Sequence, residues 1–335
     1  MKFDASIAPT TLTEVPDLAR AAEALGFDAV WTSETQHDPF LPLALIAAHT
    51  QQIQFGTAVA IAFARSPTVL AHTAWDLAHA SGGRLILGLG TQVQAHIERR
   101  FGMSWPDSPV GFLREMIEAM RAVWACWQSG DRLNYRGEHF NLRLMTPFFN
   151  PGPISDPDIP IYIAGVNRGL CRLAGELANG FHVHPYHSVR YLREVVRPSI
   201  EEGATMGGRD PGEIELSATA MFVEDADRAA FVRSQIAFYA STPSYRPVMA
   251  IHGWGEVADE LSGLARRQAW GEMSRLITDE ILETFAVVAP LPRLGATLRS
   301  RYDGLADRLT LYVPFSLAVG DDLWSQTLAG FRDAA

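Results

Sequence analysis

The chain has 335 residues, 47% of them hydrophobic and 20% charged, with a formal net charge of −10. That composition supplies a full globular core, and the length is high for one ordinary domain but normal for a single α/β barrel. An acidic balance with no basic cluster argues against nucleic acid and against an anionic membrane surface, and no stretch approaches the roughly 18 apolar residues of a membrane span.

In chain order, Lys2 to Ile7 reads as a strand, and Leu12 to Leu25 carries apolar residues at helical spacing until Gly26 stops it. Phe27 to Trp31 is a second strand, followed by the polar loop Thr32 to Asp38 and a helix from Pro39 to Thr50. Ile53 to Ile61 is strand-like with Gly56 inside it, and Pro67 to Ala80 is helical up to Gly82 and Gly83. Arg84 to Leu87 is a fourth strand, and the glycines Gly88 and Gly90 read as a loop mouth beyond it. Helices follow at Val93 to Phe101 and Phe112 to Trp127.

Gly130 to Pro160, with five prolines from Pro147 onward, reads as an excursion that includes a hairpin around Asn134 to Asn141. The alternation resumes with strands at Ile161 to Ala164, Phe181 to His184 and Glu213 to Val223, and helices at Gly169 to Leu177, Val189 to Ala204 and Ala226 to Tyr239. Ser241 to Ala289 is a second excursion, mostly helical, clearest at Glu256 to Gln268. A helix from Leu291 to Arg301, a strand from Arg308 to Val313 and a helix near Asp322 to Phe331 close the chain. Eight short apolar strands, nearly all followed by helices, predict one (β/α)8 TIM-barrel domain over 1–335, with insertions after strands four and seven. An open doubly wound sheet ranks below it, because Ala8-Pro-Thr10 stands where a dinucleotide fold needs its glycine-rich turn.

Lys2 is the sole lysine, which removes Schiff-base, pyridoxal phosphate and Walker-type chemistry from serious consideration. Cys126 and Cys171 make no metal pattern and read as reduced core residues. The N-terminus lacks a signal-peptide pattern, so a cytoplasmic protein is expected.

In such a barrel, function collects at the C-terminal ends of the strands. That places Glu34, His37 and Asp38 after strand two, Ala58 to Ser66 after three, and Gly88 to Gln94 after four. Gly165 to Arg168 follow strand five, and His184 to His187 follow six. The histidines with Glu34 or Asp38 offer metal-ligand chemistry, but none sits at a dedicated spacing, and no metal is expected. A mouth histidine such as His187 is equally a residue hydrogen-bonded to loop backbone. No nucleophile elbow occurs, and Glu34 with Asp38 is a poor glycosidase pair. Ile161 to Arg168 runs from strand through Gly165 into a helix, so its N–H groups and dipole suit a phosphate; the alternative is a plain turn capped by Asn167.

Several segments resemble, in order, the landmarks of the bacterial luciferase-like flavin and deazaflavin barrels. They are Phe27-Asp-Ala-Val-Trp-Thr-Ser-Glu34, Phe55-Gly-Thr-Ala-Val59, Ser81-Gly-Gly-Arg-Leu-Ile-Leu-Gly-Leu-Gly-Thr91, Ile163-Ala-Gly-Val166 and Ala174-Gly-Glu-Leu-Ala-Asn-Gly-Phe181. Gly90 to Phe101 and Leu144 to Asn150 resemble an actinobacterial subgroup of coenzyme F420-dependent oxidoreductases. The resemblance implies a ring-shaped cofactor in the barrel mouth, F420 or alternatively FMN. It also implies a non-proline cis bond matched to Ala58-Val59, and Gly90 and Thr91 as one wall of the cofactor seat. The cofactor phosphate falls to Gly165, Val166 and Asn167, and His184 joins the cofactor-binding set.

His37 is the nearest match to a histidine beside the ring, and an imidazole can give or take a proton near neutral pH, which suits it as the catalytic residue. Trp31, Phe63, Trp105 and the Phe148-Phe149 pair are candidate apolar walls. One departure is plain: relatives with Gly-Thr-Gly-Glu after strand four place an acid near the reacting centre, and this chain has Gly90-Thr-Gln-Val93. Sugar-phosphate dehydrogenases of the family also use lysines that are absent here. The expected reaction is hydride transfer between F420 and a small organic substrate, in a homodimer. The rivals are an FMN-dependent monooxygenase with a partner reductase and a non-catalytic flavin-binding barrel.

Overall fold

The computed structural model of the chain describes residues 1–317 and 322–334. It opens with β1 (Lys2–Ile7), α1 (Val15–Leu25), β2 (Ala29–Thr32), α2 (Phe40–His49), β3 (Gln54–Thr57), β4 (Ala60–Ile61), α3 (Pro67–Ser81) and β5 (Leu85–Gly90). There follow α4 (Gln94–Arg99), α5 (Pro109–Ser129), the short strands β6 (Tyr135–Arg136) and β7 (Asn141–Leu142), then β8 (Ile161–Gly165), α6 (Arg168–Leu177) and β9 (Gly180–Val183). Next come α7 (Val189–Tyr191), a π-helical turn, α8 (Arg197–Met206), β10 (Glu215–Val223) and α9 (Ala226–Ala240). The chain ends with α10 (Arg246–Ala250), α11 (Gly255–Arg266), α12 (Trp270–Met273), α13 (Asp279–Phe285), β11 (Ala286–Val288), α14 (Leu291–Tyr302), β12 (Arg308–Leu311) and α15 (Leu323–Asp333).

All eight expected strands are present among the described residues, with three corrections. The third is split into β3 and β4 by residues 58 and 59. The fourth does not stop at Leu87: it runs through Gly88 to Gly90, so those glycines belong to the strand rather than to a loop beyond it. The second excursion also ends in a strand, β11, too short at three residues for periodicity to reveal it.

By packing, the chain divides into two compact units, Ile7–Ala164 and Met1–Ser6 with Gly165–Ala335. In the first, parallel strands run β2–β3–β5–β8, with Trp31 opposite Gly56, Gly56 opposite Ile86 and Gly88 opposite Tyr162. Trp31, Ala29, Ile86 and Tyr162 form one buried cluster with Ala58 packed on it, so Trp31 is core rather than a ligand wall. Gly56 is dictated by that packing, because a Cβ there would lie 1.9 Å from the Ile86 carbonyl oxygen. Thr57, fully buried, clamps β3 to β5: its hydroxyl donates to the Gly88 carbonyl at 2.6 Å and accepts the Gly88 N–H at 3.0 Å. Helix α3 ends in Gly82 and Gly83, both in the left-handed region at φ 63° and 80°. Arg84 then turns inward, donating to the carbonyls of Ala47, Thr50, Ile53 and Ser81.

The proline-rich excursion is anchored rather than loose. β6 and β7 pair as the expected hairpin, and Glu115 on α5 accepts the N–H groups of Glu138, His139 and Phe140 at 2.9, 2.8 and 3.3 Å.

In the second unit, parallel strands run β9–β10–β12–β1, and β11 adds to the far end of β10. Arg308 on β12 makes a bidentate pair with Asp4 on β1 at 2.8 and 3.0 Å, both side chains fully buried. Glu215 at the start of β10 joins Arg308 at 3.4 Å and Lys2 at 2.8 Å. The sole lysine is thus a structural pair at the N-terminal strand ends. No helix among the described residues is long and apolar enough to cross a membrane.

Candidate functional site

In the first unit, the chemistry-bearing segment is the loop after β2. Its backbone is tied on both flanks. The Glu34 N–H donates to the Val59 carbonyl at 3.2 Å, and the Glu34 carboxylate accepts the Ile61 N–H at 2.7 Å and Arg65 Nη1 at 2.6 Å. Arg65 reaches Asp38 with Nη2 at 3.1 Å, and Asp38 also accepts the Phe40 and Leu41 N–H groups at the start of α2. Arg100 donates to the Thr35 carbonyl. Glu34 and Asp38 are therefore committed to holding the loop. His37 stands exposed between them, on the rim of a cavity of about 100 Å³ shared with Thr32, Ser33 and Pro9.

The Ala58–Val59 peptide is cis, as the family resemblance implies. Its neighbours fix its place: the Ala58 N–H donates to the Thr32 carbonyl at 2.6 Å, and Val59 Cγ2 lies 2.7 Å from where a Cβ on Gly90 would sit. Thr91 and Gln92 follow at the end of β5, half-buried, with Gln92 at φ 59° and its side chain accepting the Val93 N–H at 3.0 Å. Phe63 packs on Trp105 and Phe112 at 5.5 and 4.9 Å. Phe148 and Phe149 face solvent at 89% and 60% exposure, so they wall nothing in this structure.

In the second unit, Gly165 ends β8 and Asn167 occupies the N-cap position of α6. The plain capping alternative fails: the Asn167 side chain makes no cap, but donates to the Ser244 carbonyl at 3.0 Å. Asn167 thus offers no side-chain acceptor to the first-turn N–H groups of α6. Val166 is buried, and its carbonyl accepts the Tyr191 hydroxyl at 3.2 Å.

Beyond β9 lies an aromatic cluster. His184 accepts the Tyr186 N–H on Nδ1 at 3.1 Å, so the neutral ring carries its proton on Nε2. Burial, reinforced by His187, pushes its pKa down to about 3. His187 donates from Nδ1 to the His184 carbonyl at 2.8 Å, which leaves Nε2 to accept the Tyr302 hydroxyl at 2.9 Å. Burial lowers its pKa to about 4, against the backbone bond to His184 and with help from Arg301. His187 is thus a loop-backbone histidine with both nitrogens in use. The rings of Tyr239 and Tyr245 pack on His184 at 4.6 and 4.9 Å.

Residues 2–308 match the luciferase-like monooxygenase family. This chain belongs to that family. The fold of this luciferase-like chain is accordingly a (β/α)8 barrel of eight parallel strands. The F420-dependent tetrahydromethanopterin reductase of Methanopyrus kandleri superposes with a TM-score of 0.78 at 22% identity, over 98% of this chain and 97% of its own. An uncharacterized protein of Mycobacterium tuberculosis is 43% identical over 99% of this chain and 98% of its own length. The F420-dependent glucose-6-phosphate dehydrogenase of Kineococcus radiotolerans is 31% identical over 64% of this chain and 65% of its own.

The expected site residues of the luciferase-like chain fall into two groups, each at the C-terminal ends of its unit's strands. His37, Ala58, Val59, Gly90 and Thr91 share the first unit, where Val59 occupies the space that a side chain on Gly90 would need. Gly165, Val166, Asn167 and His184 share the second. Sequence reasoning missed Arg65, Tyr239, Tyr245 and Tyr312. Each lies many residues from its partners, and only the prior placing of mouth segments pointed near Arg65.

Proposed function

We propose that this chain is an F420-dependent oxidoreductase that transfers hydride between the deazaflavin and a small organic substrate. The observation that carries the reading is the start of α6, where the strand–helix turn has no Asn167 side-chain cap because Asn167 is turned to Ser244. First-turn N–H groups and the helix dipole there fit a cofactor phosphate, held by Gly165, Val166 and Asn167. Gly90 fits a ring seat beside Val59, since a side chain at that position would collide with Val59. The similarity to an F420-dependent dehydrogenase at 31% identity supports the deazaflavin over FMN.

When bound, the deazaflavin supplies a ring carbon that takes up or returns hydride. The protein's part is positioning and proton handling. Ala58 and Val59 would support the ring, Gly90 and Thr91 would wall it, and His184 would belong to the cofactor-binding set. His37, held out by the Glu34–Arg65–Asp38 brace, gives or takes the substrate proton. The absence of lysines other than Lys2 disfavours a sugar phosphate. The same reading includes a homodimer, which sedimentation of the purified protein checks.

The family match favours one competitor, an FMN-dependent monooxygenase. Titration of the purified protein with F420 and with FMN decides. Tight F420 binding with micromolar or weaker FMN binding supports the proposal, and the reverse order overturns it.

A further inference from the structure

Two tyrosines of the second unit form a directed hydrogen-bond chain. The Tyr312 hydroxyl lies 3.1 Å from Gln235 Oε1, and the Tyr239 hydroxyl lies 2.6 Å from the Tyr312 hydroxyl. A carbonyl oxygen only accepts, so Tyr312 donates to Gln235 and must in turn accept from Tyr239. The hydrogen of Tyr239 is thereby used. What Tyr239 has left is an oxygen with lone pairs and no hydrogen.

The setting of that oxygen is aromatic and uncharged. Tyr312 follows the last residue of β12 and His184 the last residue of β9, the strand ends where a barrel of this kind takes its ligands. The rings of His184 and Tyr239 meet edge to face at 4.6 Å, and Tyr245 lies 4.9 Å from His184. Tyr186 stacks on Phe285 at 4.8 Å with planes 6° apart. Burial raises the pKa of Tyr239, Tyr245 and Tyr312, so all three phenols stay protonated. A second, independent feature marks the cluster as incomplete: the Tyr186 hydroxyl is buried and has no acceptor among the described residues. Buried polar groups are ordinarily paired, so this donor is open to an oxygen that the described residues do not supply.

We propose, resting on the oxidoreductase reading above, that this tyrosine cluster recognises the substrate, and that the substrate is an uncharged alcohol with an apolar body. The apolar body lies on the rings. In the bound complex the alcohol O–H donates to the Tyr239 oxygen and its lone pairs face the Tyr186 hydroxyl; Tyr239, already protonated, holds that hydroxyl and does not take its proton. A carbonyl compound of the same shape puts acceptor against acceptor at Tyr239. A phosphate or carboxylate finds no counter-charge in the cluster. Tyr312 is a positioning residue: it sets which way the Tyr239 hydrogen points.

The test is calorimetric titration of benzyl alcohol and benzaldehyde into the full-length protein, with and without F420. The alcohol should bind about fivefold more tightly than the aldehyde, the yield of one neutral hydrogen bond. Tyr239→Phe should abolish that preference. Tyr312→Phe frees the Tyr239 hydrogen, so the ratio should fall to about one or invert as the aldehyde gains a donor. A merely structural role for Tyr312 would weaken both ligands together and leave the ratio alone. Equal binding of the two by the unmodified protein, a preference that survives both substitutions, or no binding of either overturns the inference. If F420 fails to bind while the preference and its response to Tyr312→Phe persist, the cofactor reading falls and the recognition stands. If F420 binds and the ratio does not respond, the recognition falls alone.

Discussion

The loop after β2 and the cluster after β9 use opposite materials. The loop is built from charge: Glu34, Arg65, Asp38 and Arg100 tie its backbone, and its functional candidate, His37, is exposed. The cluster is built from neutral rings, with histidines that burial keeps uncharged and tyrosines that burial keeps protonated. The difference teaches where to look for chemistry. Charged groups near the strand ends here do architecture, and the groups left over to meet a ligand are neutral donors, acceptors and one exposed imidazole. Asp38 has both carboxylate oxygens committed, to Arg65 and to backbone N–H groups, and Glu34 Oε2 is shared between Arg65 and the Ile61 N–H, which leaves little of the pair for metal-ligand or glycosidase roles.

The sharpest way to break that division is to remove a charge from the loop. Glu34→Ala takes from Arg65, only 15% exposed in its side chain, its shortest and most buried ion pair, leaving it the half-exposed Asp38, and orphans the Ile61 N–H. Breaking one partner of a largely buried pair should destabilise the protein by about 3 kcal/mol. Urea unfolding should show a lower midpoint at an unchanged slope. A loss near zero would mean that the brace does not hold the loop.

On the neutral side, the counterpart is pH. His187 has a folded pKa of about 4 against an ordinary 6.5, so the unfolded chain binds its proton first as pH falls. Its contribution to stability is full above about 6.5 and is lost as pH drops through the window down to about 4, to the extent of about 3 kcal/mol. His184 acts in the same direction. Stability measured across that window should fall steeply in the unmodified protein and less steeply in His187→Asn. Equal slopes would show that His187 is not buried neutral.

The exposed imidazole should behave unlike either. His37→Ala removes nothing from the core, so stability should change by no more than about 0.5 kcal/mol. Turnover with F420 and an accepted substrate should fall by about 100-fold if His37 moves the substrate proton. Unchanged turnover would remove it from the mechanism.

How much of this was legible follows from sequence distance. Strand runs such as Ile161 to Ala164 and caps such as Gly26 and Gly82 are local, and local periodicity and turn chemistry find them. The limits of β5 were misread because glycine signals a loop, whereas Gly88 here is held in the strand by Thr57, 31 residues away. The Glu34–Arg65 brace spans 31 residues and the Tyr239–Tyr312 bond spans 73, separations at which no spacing rule operates. Gln92 shows a different limit. It stands at φ 59°, a backbone conformation more usual for glycine, which its residue type does not announce.

The smallest expected effect concerns the seam between β4 and β5, where Ile61 pairs with Gly90. A methyl on Gly90 would sit 2.7 Å from Val59 Cγ2, and a short branched side chain cannot swing far to relieve it. Gly90→Ala should therefore shift Val59 and weaken F420 binding about tenfold, an effect of about 1.4 kcal/mol, while the brace around Glu34 is left intact. Combining it with Val59→Ala removes the colliding atom, so the double variant should recover most of the lost affinity, a non-additivity expected only of residues in contact. Additive losses in the double variant would show that the added methyl acts on the cofactor directly and not through Val59.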